Sequence, residues 1–523
     1  MAQQRMGGRP MLILGEDSER TSGEDAQQSN INAAKAIAES VRTTLGPKGM
    51  DKMLVSSGGD VTITNDGATI LEEMDIEHPA AQMLVEVAQA QEADVGDGTT
   101  TASVLAGKLL AEAEGLLEQD IHPTTIAEGY NDAEQIALDA IADAVLEGEI
   151  DDETLVSVAE SSMTGKGTGG VTAGRLAKEI VDAVRQVEQD GAVTAADVSV
   201  LAKPGQSSTA TELVRGFVGD VEPVREDMPT DVEDPTVAVV DVDLAQRESA
   251  FDAEYNITSA DQFNQAVEAE ESTLAEQAQA LADAGVDVVF CAGDVADGVA
   301  SRLAAEGILA FENVGDDDLS SILRSTGATR IGDVTNIEDD ELGNAERVHL
   351  DTIEGEELVF VEGGAATQIV TLFVRGGTDH VLEELERAIQ DGIDVVVAAV
   401  NDQEVVPGAG ATEIIVSSAL RDAASGISGR KQLAVEAFAD AVDSLPRTLA
   451  ENTGMDPIDA LVDLRAANDG GRAGIIAEGE NGRIADPVEH GILDPAEVKR
   501  EAVESATEAA TMIVRIDDVI SAE

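Results

Sequence analysis

VDVVFCAGDVADGVASRLAAEGILAFENV, residues 286–314, is the stretch whose pattern decides the fold. Its apolar, β-branched start reads as a strand over 286–292, followed by a helix over 294–306 and a second strand over 308–314. Another helix is predicted over 316–326, and upstream lie an apolar strand over 236–244 and a long polar helix over 259–284. Strands and helices alternating across short loops predict a small α/β domain with parallel strands.

Outward from this block the pattern changes. Up to about residue 145, Ala-rich amphipathic helices are expected over 30–44, 80–93, 99–119 and 126–146, with a hairpin-like piece over 52–63. From about residue 407 to 520 the same character returns, with helices over 411–424, 431–453, 457–467 and 495–515. A helical domain split by an inserted α/β domain is the simplest account. There is no internal repeat and no long linker, and 164–170 reads as a Gly/Thr loop.

A chain of 523 residues is too long for one core, so about two to four domains are expected. Aromatics are 2% of the residues and Trp is absent, so Ala, Val, Ile and Leu must build the cores. Against 32 Lys and Arg stand 105 Asp and Glu, a formal net charge of -73. Self-repulsion of that size works against a compact state at low salt. At molar salt the screening length falls to about 3 Å and most of it disappears. The acids are spread along the whole chain, which reads as a surface suited to a salty cytoplasm. Nucleic-acid binding is excluded for want of a basic stripe.

Cys291 is the sole cysteine, so no intrachain disulfide can form, and its apolar run marks it as a small buried hydrophobe. The five histidines, His78, His122, His349, His380 and His490, show no ligand spacing, and a zinc site is not expected. No apolar stretch reaches the length of about 18 residues needed to span a membrane, and residues 1–10 lack a signal-peptide core. The expectation is a cytoplasmic protein with no membrane partner.

Three glycine-rich points lie far apart. Leu45-Gly46-Pro47-Lys48-Gly49 directly follows a helix, and taken alone it is a helix stop. Gly96-Asp97-Gly98-Thr99-Thr100-Thr101 opens a helix. It reads either as an ordinary capped turn or as an anion cradle, with free N–H groups and hydroxyls facing phosphate and Asp97 holding a magnesium ion. Pro407-Gly408-Ala409-Gly410-Ala411 is a strand-to-helix turn or a place of close backbone approach to a sugar or base. No GxxxxGK[ST] run is present, which excludes an ordinary P-loop. Among carboxylates, Asp60 and Asp66 share the run 59–67, and Asp391 lies at the edge of a helical stripe that includes Val381, Leu385 and Ile389.

Together these segments resemble the group II chaperonins of the archaeal thermosome type, in a haloarchaeal version. The resemblance rests on Thr43–Leu54, Asp60–Leu71, Met74–Ala81, Val95–Thr101, Met163–Gly167, Arg375–Thr378, Pro446–Asn452, Ala506–Ala510 and Arg515–Asp518. It implies a mixed α and α/β subunit of three domains. These are a helical equatorial domain (1–146 and 402–523), a small intermediate hinge domain (147–213 and 367–401) and an inserted α/β apical domain (214–366). The apical domain would carry a helical protrusion over 251–275.

The resemblance further implies an ATP hydrolase coupled to protein folding, with ATP and Mg2+ as cofactors. Unfolded or partly folded proteins, and identical or related subunits in a stacked double ring, would be its partners. Carried over by position, Asp97 is similar to the magnesium ligand, and Gly98, Thr99, Thr100 and Thr101 to the phosphate cradle. Leu45, Gly46 and Pro47 match the nucleotide-side turn, and Lys166 matches the lysine that senses the γ-phosphate. Asp60 and Asp391 match the catalytic acidic pair that activates water. Gly408 and Ala409, with Glu489, match the ribose and base side. On this reading hydrolysis is tied to rotation of the hinge that carries Asp391. Two departures stand out: Ala409 replaces a usual third glycine, with a Cβ expected to tighten the pocket or alter φ. The sequence also ends at Glu523 without the Gly/Met-rich tail of many members.

Overall fold

The computed structural model describes residues 19–166, 172–189, 191–204, 210–245, 260–353, 355–364, 368–468, 472–478 and 481–521. The chain divides into two compact units, one made of 1–165 with 402–523 and the other of 166–401.

The first unit is mostly helical. Two of its helices, Pro79–Val95 and Pro123–Ala144, begin with a His-Pro pair. The imidazoles of His78 and His122 accept from the backbone N–H groups of Ala80 and Thr124, at 3.3 and 3.2 Å. Proline at the first helical position needs no partner for its nitrogen, so both starts are satisfied. Helices Glu24–Val41, Thr99–Leu117, Ala411–Ala424, Lys431–Val442 and Ala496–Val514 share a core with these two, built mainly from Ala, Val, Leu and Ile. Small residues let the helices approach closely. A Cβ on Gly107 would come within 2.2 Å of that of Ala38. The few aromatics are used at the centre, where Tyr130 meets Phe438 edge-on at 5.6 Å and donates to the Leu109 carbonyl at 2.7 Å.

The helix expected over 431–453 is two helices, Lys431–Val442 and Ser444–Asn452. Pro446 has no N–H to offer the carbonyl four residues back, that of Val442, so the helix breaks there. At the break Asp443 is fully buried and accepts from both Arg421 and Arg465. The expected hairpin is present as strands Lys52–Val55 and Val61–Thr64.

The second unit holds the α/β block. Strands Leu309–Phe311, Val288–Cys291, Thr236–Val240 and Arg330–Ile331 lie side by side and parallel, with Gly343–Asn344 antiparallel on Thr236–Val240. Helices Asp297–Glu306 and Asp316–Thr326 connect them, the second with the bounds expected from periodicity. An antiparallel sheet of Gly216–Gly219, Glu356–Glu362, Arg347–Ile353 and Asp231–Glu233 adjoins in sequence. A third sheet pairs Val370–Gly376 with Val198–Pro204 and Glu212–Val214. The long polar helix is Ala260–Asp283; the remainder of the expected protrusion, 251–259, lies outside the described residues, as does 167–170 of the Gly/Thr loop.

Cys291 sits in the central parallel strands with its thiol donating to the Val242 carbonyl at 3.2 Å. Burial pushes the thiol up to about 11. It therefore stays protonated at pH 8, and thiolate is the reactive species. Alkylation by iodoacetamide at pH 8 in molar salt should run at least about a hundredfold slower in the folded protein than in the unfolded chain. Equal rates would show that the strand is open to solvent.

Candidate functional site

The first glycine motif that the fold builds is the turn before helix Thr99–Leu117. Gly96 ends helix Pro79–Val95 at φ 64° and Gly98 begins the next helix at φ 85°, both left-handed, so the chain reverses around Asp97. The Asp97 Oδ1 accepts the Gly98 N–H at 2.7 Å. No side chain caps this helix, so its first N–H groups remain available with the positive end of the helix dipole behind them. Close against it lies the start of helix Gly67–Glu72, where a Cβ on Gly67 would come within 2.5 Å of the Thr100 hydroxyl and 3.0 Å of that of Thr99. Thr101 is the third residue of the same helical turn.

The second motif joins it through hydroxyls. Thr44, just before Leu45, has its Oγ1 at 3.4 Å from that of Thr100. The turn itself is pinned from helix Ser444–Asn452. Asn452 donates to the Leu45 carbonyl at 2.8 Å, and a Cβ on left-handed Gly46 would lie 2.4 Å from Leu449. The Gly46 and Pro47 carbonyls also crowd Gly165, where a Cβ would meet both at 3.1 Å.

The third motif meets the same wall. Gly410, left-handed at φ 82°, starts helix Ala411–Ala424 without a side-chain cap, and a Cβ there would meet Pro446 at 3.1 Å and Leu449 at 3.3 Å. Leu449 thus stands between the Leu45–Pro47 turn and the Gly408–Gly410 turn. Ala409 answers the question its Cβ raised. Its methyl lies over Gly474, where an added Cβ would come within 2.9 Å of it, and its carbonyl accepts from Ile475 at 2.8 Å. The substitution acts on backbone conformation, holding an L-residue at φ 57°.

Glu489 is exposed on the short turn Val488–His490. The carboxylate beside Gly408 is instead that of Asp494, whose Oδ2 would be 3.1 Å from a Cβ on Gly408. Lys499 holds Asp494 and Glu413 at 2.8 Å each. Burial disfavours its charge, but the two carboxylates outweigh this and keep the ammonium above its ordinary range. The sequence signal for Asp494 is its place just before Pro495 at the start of helix Ala496–Val514.

Asp60 is likewise not drawn to this group. It is exposed at the tip of the hairpin, and its carboxylate accepts from Ser56 at 3.0 Å. Asp66 of the same run is better placed. Its Oδ2 accepts the Thr69 N–H at 2.7 Å, capping the helix that abuts Thr99 and Thr100. In the second unit, Lys166 and Asp391 form a direct ion pair. Asp391 lies on helix Asp379–Asp402 near buried Leu385 and Ile389, and is itself buried rather than at the edge of the stripe.

Chemically, the first unit offers two uncapped helix starts, threonine hydroxyls and one carboxylate set between two left-handed glycines. Such a group suits a polyphosphate. Among the described residues no cluster of three or more His, Cys, Asp or Glu gathers to hold a metal. A cation at Asp97 would therefore complete its shell with phosphate and water, which fits magnesium better than zinc or calcium. Among the described residues no helix is long and apolar enough to cross a membrane.

A family model described as the TCP-1/cpn60 chaperonin family matches residues 37–523. The chain is 62% identical over 517 residues to thermosome subunit 3 of Haloferax volcanii, covering 98% of this chain and 99% of that one. It is 51% identical over 523 residues to thermosome subunit alpha of Halobacterium salinarum, covering 100% and 93%. With the thermosome subunit of Methanopyrus kandleri it shares 48% over 529 residues, covering 100% and 96%.

Because Ala409 is left-handed and its methyl faces Gly474, Ala409→Gly should stabilise the first unit by about 0.5–1 kcal/mol. Urea unfolding in molar salt measures this; a loss of stability would mean that the methyl contact outweighs the backbone strain.

Proposed function

This chain belongs to the TCP-1/cpn60 chaperonin family, as a subunit of an ATP-dependent, ring-forming group II chaperonin of haloarchaeal type, and we propose that its glycine turns and carboxylates handle ATP and Mg2+. The observation that carries this reading is the Asp97 turn, an uncapped helix start with a carboxylate held between two left-handed glycines.

Asp97 would hold the magnesium ion. The N–H groups and hydroxyls of Gly98, Thr99, Thr100 and Thr101 take the phosphates. Leu45, Gly46 and Pro47 close the other side of the nucleotide, with Gly408, Ala409 and Asp494 toward the sugar. Magnesium, when bound, neutralises phosphate charge and orients the terminal phosphoryl group. For water activation the family's pattern implies an acidic pair; Asp391 is one member, and on the phosphate side Asp66, rather than the expected Asp60, caps the helix that abuts Thr99 and Thr100. Asp391 accepts the proton of the attacking water, while the water oxygen bonds to the terminal phosphorus and ADP leaves. Lys166, bonded to Asp391, orients that carboxylate and can be drawn to the terminal phosphate.

The wider reading follows from the family. The hinge (147–213 and 367–401) and the apical substrate-binding domain (214–366) lie within the second unit except for 147–165, which belong to the first. The subunits, identical or related, stack as a double ring in the cytoplasm and enclose unfolded or partly folded protein. The net charge of -73 adapts the surface to a salty interior.

Asp391→Asn should lower kcat for ATP by about 10²–10⁴ while leaving KM little changed, the mark of a group used in the chemical step. Asp60→Asn should keep turnover near wild type and Asp66→Asn should lose it. Steady-state turnover in molar salt with magnesium reads all three. Unchanged turnover in Asp391→Asn would sink the assignment of the base, and equal losses at positions 60 and 66 would restore Asp60 to the site.

A further inference from the structure

Gln91 is a buried amide that the nucleotide site does not yet account for. It lies on helix Pro79–Val95 with no exposed surface. Its Nε2 donates to the Asp97 carbonyl at 2.8 Å and to the Val498 carbonyl at 3.3 Å. Both acceptors are carbonyl oxygens, so only the nitrogen end of the amide can face them. Its Oε1 is buried without a hydrogen-bond partner. A bare acceptor in a core is unfavourable, and that cost is tolerated for the two bonds the nitrogen makes. The glycine next to Asp97 also depends on this side chain. A Cβ on Gly98 would come within 2.8 Å of the Gln91 nitrogen and 2.9 Å of Val498.

We infer that Gln91 is a positioning residue for the magnesium-nucleotide site, acting through the backbone of Asp97. It draws the Asp97 carbonyl back into the core, which sets the carboxylate and the Gly98–Thr101 N–H groups outward before any ligand arrives. The second bond anchors that setting to the first turn of helix Ala496–Val514. The next residue along, Lys499, holds Asp494 beside Gly408. One helical turn therefore ties the phosphate side of the site to its sugar side. This rests on the nucleotide reading above.

The test is Gln91→Met, which keeps the volume and removes both donated bonds together with the orphan oxygen. Magnesium is titrated into assembled protein with a fluorescent ATP analogue at fixed concentration, in molar potassium chloride. The magnesium midpoint should shift upward by about 10–100-fold, as for other changes just outside a metal's ligands. At saturating magnesium kcat should fall by less than about tenfold. Asn30→Ala, at a buried amide on helix Glu24–Val41, serves as the control and should lower thermal stability without moving the midpoint. Should Gln91→Met fail to assemble, Gln91→Asn, one methylene too short to reach both carbonyls, supplies the same comparison. A midpoint within twofold of wild type in the variant that assembles overturns the role of Gln91. Absence of any magnesium-dependent binding in wild type overturns the nucleotide reading instead.

Discussion

The side chain of Leu449 fills the space that a Cβ on Gly46 would take and, together with Pro446, crowds the place of a Cβ on Gly410. Much of the first unit is arranged around that contact. Both glycines are left-handed, and a side chain at either would press on helix Ser444–Asn452. Leu449 can stand there only because its helix is cut free from the preceding one at Asp443, where Pro446 removes a backbone donor. The buried Asp443, bonded by Arg421 and Arg465, then ties the break to helices Ala411–Ala424 and Pro457–Asn468. A packing contact, a missing N–H and a buried charge cluster together set where two glycine turns face.

The same scarcity governs charge throughout the chain. With 32 basic residues against 105 acidic ones, several partly buried cations are each shared among two or more carboxylates. Lys499 serves Glu413 and Asp494, and Arg500 serves Asp402, Glu404 and Glu497. In the second unit Lys203 holds Asp220 and Glu356. Where such a hub is buried, removing it would leave two like charges facing each other in a poorly solvated place. The surplus acids on the surface are a different matter, since salt screens them. A chain built this way keeps its internal geometry through a few cations and leaves its outer charge to the solvent.

Two pairs of carboxylates show what near neighbours in sequence do not distinguish. Asp60 and Asp66 sit in one short run, and nothing in their neighbours separates a hairpin tip from a helix cap. The hydrogen bond from Thr69 to Asp66 and the press of Gly67 on Thr100 make that distinction. Glu489 and Asp494 are a similar pair. A turn exposes the first, while the approach of Gly408 to the Ile492 carbonyl brings the second beside a glycine that leaves room for it. Ala409 was suspected of narrowing the pocket, yet the direction of a Cβ depends on φ, and at φ 57° it points to Gly474.

What sequence alone determined were the properties that depend on near neighbours. The alternation of strands and helices around 286–314, the helical ends and the glycine turns follow from periodicity and turn chemistry within a few residues. The buried state of Cys291 followed in the same way from its apolar run. Tertiary structure decided which distant segments became neighbours. Leu449 between Gly46 and Gly410, Gln91 beneath Asp97 and Val498, Lys499 across Glu413 and Asp494, and Lys166 on Asp391 are each set by how helices and sheets pack. Composition and spacing along the chain carry no record of that packing, because it depends on which faces can fill one another without a void or an unpaired polar group.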